Sequence, residues 1–163
     1  MGNVRPGQRI AAIAGVVLFI VMWFSWYGVD LDKVTGGSAV KNLGIDTTAN
    51  AWQSFSWIDL LMLLTVIVAV GSAAVAASGT VRPEGLAPAA GLTAGLGALT
   101  VLAILYRLIN EPGPDALINI KIGAWLGLVS AAVVAFGGFR AMGEEASLDP
   151  APPPAPAAAP PAV

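Results

Sequence analysis

Neither cysteine nor histidine occurs in this chain, and charged residues are scarce at 11% of 163 residues. Without cysteine there is no disulfide, no thiolate nucleophile and no iron–sulfur cluster. Without histidine the commonest metal ligand and general base is missing. Most enzyme chemistries therefore lack their residues, and the chain reads as a non-enzyme with no cofactor and no metal site. Eight basic and ten acidic residues leave a formal charge of −2. No bulk cationic field exists to recruit nucleic acid, so nucleic acid is not an expected partner. What is abundant is apolar: 56% of residues are hydrophobic and the mean hydropathy is +0.77, against about 25% charged and 45–50% apolar in ordinary soluble domains. The expected partner is the lipid bilayer.

A helix rises about 1.5 Å per residue, so about 20 apolar residues cross about 30 Å of hydrocarbon. Four stretches reach that length, at about residues 10–29, 57–78, 86–109 and 120–142. The expectation is an all-α membrane protein: a four-helix transmembrane bundle over residues 10–142, with a short N-terminal segment (1–9) and a tail (143–163). Arg5 and Arg9 ahead of an apolar run resemble a signal peptide. The run is too long for one, however, and it ends in Trp23, Phe24, Trp26 and Tyr27 with no small-residue cleavage site, so it is expected to be a retained helix. Its aromatic cluster then reads as an interfacial belt.

Lysine and arginine near the span ends set orientation. The raw count is a tie, with Arg5, Arg9, Arg82 and Arg140 on one side and Lys33, Lys41, Arg107 and Lys121 on the other. The first helix breaks it, because both its arginines precede it and its far flank begins Asp30-Leu-Asp32. Both termini are then expected in the cytoplasm of a multi-pass cell-membrane protein. Outer loops would cover about 30–50 and 110–119, with a tight inner hairpin at 79–85. Loop 30–50 carries Thr-Gly-Gly-Ser between Val-containing flanks, which suggests a small hairpin. Its two aspartates fall short of a calcium loop. Pro112-Gly113-Pro114 reads as a rigid turn. From Asp149 onward seven of fifteen residues are proline, so the tail is expected to be extended and disordered. It is a candidate handle for a cytoplasmic partner.

One acidic residue, Asp59, falls inside an apolar span, in NAWQSFSWIDL (50–60). If Thr48 or Asn50 caps the second helix, that helix starts near Ala51 and overruns the hydrocarbon by about two turns. Counting back about 20 residues from Ser78 places Asp59 at the outer boundary, where a charge is less costly than at mid-span. Trp52, Phe55, Ser56 and Asp59 would share one stripe, with Trp57 turned toward lipid. Arg107 and Lys121 occupy the same boundary on other spans, so Asp59, Arg107 and Lys121 are expected to form an outer polar clamp. Mid-span polar groups are single hydroxyls (Thr65, Ser72, Thr93, Thr100 and Ser130), each able to bond its own helix. Gly91-xxx-Gly95 and Gly123-xxx-Gly127, with Gly97 and Gly137-Gly138 nearby, fit small-residue helix packing.

The Trp23–Tyr27 cluster, NAWQSFSWID, Arg107 followed by Glu-Pro-Gly-Pro (111–114), and Gly123-Ala-Trp-Leu-Gly127 with Gly137-Gly138-Phe139 together resemble a group of uncharacterised four-span membrane proteins common in actinobacteria. The Ala-, Gly- and Pro-rich composition agrees with a GC-rich bacterial genome. The resemblance implies a plasma-membrane location and carries no activity with it. Claudin-like proteins need two loop cysteines, and small multidrug exporters need a carboxylate inside the first span; this chain has neither. The expected role is structural or accessory. The alternative is a small transporter or channel subunit that forms homo-oligomers, or joins another membrane protein, through the glycine faces of spans three and four.

Overall fold

The computed structural model describes residues 4–44, 46–54, 57–79, 89–110 and 117–147. The chain is mostly helical. Three helices are long and apolar enough to cross a membrane: α4 (Ile58–Ser78), α5 (Ala89–Ile109) and α6 (Ile122–Ala146). A shorter apolar helix, α1 (Pro6–Val21), has 16 residues. Two small helices, α2 (Gly37–Asn42) and α3 (Ala51–Ser54), and three strands, β1 (Ser25–Val29), β2 (Thr48–Asn50) and β3 (Ile118–Ile120), gather at one end. The hairpin around Arg82, the Pro112–Pro114 turn and the tail from Asp149 lie outside the described residues.

Helix α1 starts with proline in its first turn, where a missing N–H costs nothing. It was expected to run to Val29, yet it stops at Val21. Past Val21 the backbone tightens, with Trp23 N–H donating to Ile20 O (3.1 Å) and Phe24 N–H to Val21 O (3.0 Å). The chain then enters β1. Ser-Trp-Tyr-Gly-Val is poor helix material and good strand material, because aromatic and β-branched side chains fit a pleated surface.

Strand β1 is central in the order β2-β1-β3, antiparallel to both neighbours. The expected hairpin inside loop 30–50 is therefore replaced by a sheet that ties together the segments after α1, before α3 and before α6. The Thr-Gly-Gly-Ser stretch instead opens α2, with Gly36 at φ +82° ahead of its first turn. The all-α expectation is corrected to this extent: residues 25–29, assigned to the end of span one, and residues 48–50 and 118–120, assigned to the outer loops and the first residue of span four, are strands.

The second helix also differs from expectation. Asn50 does cap a helix, in a reciprocal pair in which Gln53 N–H donates to Asn50 Oδ1 (3.1 Å) and Asn50 N–H to Gln53 Oε1 (3.2 Å). That helix, α3, ends at Ser54, and α4 begins afresh at Ile58. One continuous helix from Ala51 is therefore not formed, and the single stripe through Trp52 and Asp59 dissolves. Phe55 and Ser56 lie outside the described residues.

Helix α1 packs against α6 and α4, and α5 packs against α6 and α4. The α1–α6 approach is set by Gly7 and Gly137, where an added Cβ would meet the backbone of Ala141 and Ala11 respectively. The α5–α6 approach is set by Gly97 against Ala135 and Gly138 against Ala94. Removing the Cβ lets the helix backbones meet.

Candidate functional site at the sheet end

All five tryptophans and both tyrosines cluster toward the sheet end, but they split into two populations. Trp26 (0% exposed) and Tyr27 (3%) are core residues, which corrects their assignment to a lipid-facing belt. The reason is the strand: its pleat turns Trp26 toward α6 and Tyr27 to the opposite face. Trp26 Nε1–H donates to Val21 O at 2.9 Å, and its carbonyl accepts from Lys121 N–H at 2.8 Å. The indole lies against Gly127, where any Cβ would overlap the six-membered ring, and Gly123 sits beneath the Ser25 carbonyl. Gly123 and Gly127 therefore form a socket for a tryptophan, and not a helix–helix seam. Gly95 has open space where a Cβ would stand, and Gly91 is half-buried. Trp23, Trp57 and Tyr106 are exposed, as are Phe24 and Trp125. Trp52 is half-buried and packs on Trp23 with ring centroids 6.0 Å apart.

On the Tyr27 face, Asp59 stands in the first turn of α4 and Arg107 in the last turn of α5. Each charge complements its own helix dipole. Arg107 Nη2–H donates to Ser54 O at 2.7 Å, and the Tyr27 hydroxyl donates to Arg107 O at 3.1 Å. The α5 terminus is thereby tied to α3 and to β1. Asp59 is 5% exposed, and the Arg107 guanidinium acts on its carboxylate through space. Asp59 Oδ1, Ser54 Oγ and Trp52 Nε1 are buried and have no hydrogen-bond partner among the described residues. Native folds rarely tolerate such atoms, and here three gather where α3 gives way to α4.

Lys121 does not join this group. Its stem crosses the opposite, Trp26 face of β1, where a Cβ on Gly28 would lie 2.5 Å from Lys121 Cε. Of the expected trio, Asp59 and Arg107 lie close enough for the guanidinium to act on the carboxylate through space, while Arg107 itself is bonded to the Ser54 carbonyl and its own carbonyl accepts from Tyr27. Nothing in the sequence marked Ser54 or Tyr27 for that role, since both depend on strand β1 and the α3–α4 break.

A cavity of about 240 Å³ opens beside the sheet, lined by Tyr27, Val29, Ala49, Gln53, Ser54 and Ile118 among others. Among the described residues no group of three His, Cys, Asp or Glu side chains gathers to hold a metal ion. Deeper in the helices, Thr65 Oγ1 lies 2.7 Å from Thr100 Oγ1, joining α4 to α5, and also bonds Leu61 O at 2.8 Å. Thr93, Ser72 and Ser130 bond carbonyls of their own helices.

At the opposite end, Glu144 accepts from Gly7 N–H (3.2 and 3.3 Å) and pairs with Arg140, while Arg5 pairs with Glu145 at 3.4 Å. Sequence reasoning missed this contact. The available signal was a proline-led helix start and a Glu-Glu pair near the last helix's end.

Comparison with known protein families, with curated proteins and with solved structures finds no match.

Proposed function

We propose that this chain is a multi-pass plasma-membrane protein whose α1, α4, α5 and α6 form a four-helix transmembrane bundle, with both termini cytoplasmic and a structural or accessory role. The observation that carries the reading is the buried Asp59, set beside Arg107 while Arg107 is bonded to α3 and the Tyr27 hydroxyl to the Arg107 carbonyl. A carboxylate at a helix boundary, opposite a cation that ties neighbouring elements, acts as a clamp. It keeps the sheet-bearing end of the bundle closed and presents the sheet outward as a fixed surface.

Helix α1 spans about 24 Å by itself. The tightened turn through Phe24 extends its apolar path, and a small residual mismatch is absorbed by local thinning of the bilayer. Exposed Trp23, Trp57, Tyr106 and Trp125 supply an aromatic belt at that boundary. The alternative of a transporter or channel subunit oligomerising through spans three and four has less support, since Gly97, Gly123, Gly127 and Gly138 are occupied within the chain.

The deciding experiment is Asp59→Asn in reconstituted protein. A clamp predicts a lower folded yield, whereas a normal yield with lost solute flux into vesicles would favour the transporter. Accessibility of single cysteines introduced near Arg9 and at Lys41 tests the orientation.

A further inference from the structure

The cations of the sheet end are not treated alike. Lys33 pairs with Asp30 at 3.1 Å and Lys41 with Asp32 at 3.8 Å, while Arg107 bonds the Ser54 carbonyl. Lys121 makes no ion pair among the described residues, although its position is the most constrained of the four. Its backbone N–H is fixed to Trp26 O, and its stem lies in a slot that exists because residue 28 is glycine. Neighbouring carboxylates already have donors: Asp46 accepts from Thr48 N–H (2.9 Å) and the Thr48 hydroxyl (2.8 Å), and Asp30 accepts from Lys33 and from Asp32 N–H. Directly after Lys121, Ile122 and Trp125 are exposed on α6, and Trp23 and Phe24 are exposed at the end of α1. A half-buried lysine with no anionic partner among the described residues thus borders an apolar, aromatic rim. Such a lysine complements a lipid phosphate, with its stem on the protein and its charge at headgroup level.

We propose that Lys121 binds the phosphate of an anionic phospholipid in the sheet-side leaflet, whose acyl chains pack on Ile122 and Trp125. This rests on the bilayer placement proposed above. It adds a specific lipid contact that the clamp does not require.

The test is native mass spectrometry of the full chain released from micelles holding equal amounts of phosphatidylglycerol and phosphatidylcholine. Wild-type protein should retain phosphatidylglycerol preferentially. Lys121→Gln should lower that preference about fivefold, the scale expected for one cation at an anionic surface. Lys121→Arg should restore it, and Lys41→Gln should leave it unchanged. Should Lys121→Gln fail to fold, Lys121→Met keeps the stem against Gly28 and reads the same ratio. An unchanged preference on loss of the lysine charge overturns the proposal, as does displacement of the lipid by inorganic phosphate. Tryptophan quenching by shallow brominated lipids separates the two ideas. Without quenching, the bilayer placement itself fails; quenching with no lipid preference overturns the Lys121 site alone.

Discussion

The two ends of the helices are closed by different physics. At the sheet end a tryptophan fills a two-glycine socket, a strand is paired on both edges, and a buried carboxylate faces an arginine that is bonded elsewhere. At the other end α1 is tied to α6 by the Arg5–Glu145 ion pair, whose side chains are 31% and 24% exposed, and by the Glu144 carboxylate on the first turn of α1. Close packing serves both ends, through Gly7 on Ala141 at the far one; what differs is the charge, buried at the sheet end and exposed to screening at the other. Exposed pairs contribute about 0–1 kcal/mol each, so the sheet end should be where the fold is won or lost.

The sharpest way to break this contrast is Trp26→Ala, which empties the socket and leaves Val21 O without its indole donor. A loss of about 3–5 kcal/mol is expected from such a truncation, read by denaturant unfolding in micelles. Gly127→Ala attacks the same contact from the other side and should cost about 1–3 kcal/mol. Combined with Trp26→Phe, it should cost less than the sum of the two single changes, because a smaller ring makes room for the Cβ.

Next comes the pair on the Tyr27 face. Asp59→Asn and Arg107→Gln should each destabilise by up to about 2 kcal/mol, the first by removing the carboxylate on which the guanidinium acts and the second by leaving Asp59 buried without its nearby cation. Arg107 also donates to Ser54 O, so its loss should loosen α3, seen as faster amide exchange at 51–54. Equal stability of the two variants and wild type would remove the clamp from the account.

Thr100→Val deletes the hydroxyl contact with Thr65. Interhelical hydrogen bonds of this kind average about 0.6 kcal/mol in membrane proteins, so a small shift in the unfolding midpoint is expected. Smallest of all should be Glu144→Gln at the far end, at under about 1 kcal/mol and fading as salt rises. A larger effect there than at Asp59 would invert the comparison.

Much of this was legible in the residues. Helix rise and a length limit mark Asp59 as the start of a span-length segment, and α4 does begin one residue before it. Asn50 as a cap and Gly79 as the left-handed stop of α4 also follow from residue type. The failures around β1 share one cause. Periodicity and hydropathy cannot distinguish an aromatic strand from the end of an apolar helix when both are hydrophobic on every face. Ser25–Val29 was therefore absorbed into span one, and with it went the knowledge that Gly123 and Gly127 face an indole and that Lys121 lies across β1 from Asp59.

By itself, then, the sequence determined which segments are long and apolar enough to cross a membrane and where charges stand along them, because apolar length and charge scarcity act locally and need no partner to be known. Which side chains meet was decided by tertiary structure alone. One strand paired on both edges turns Trp26 and Tyr27 to opposite faces, and that alternation brings the Tyr27 hydroxyl to the end of α5 and leaves the Lys121 stem over Gly28 on the other side.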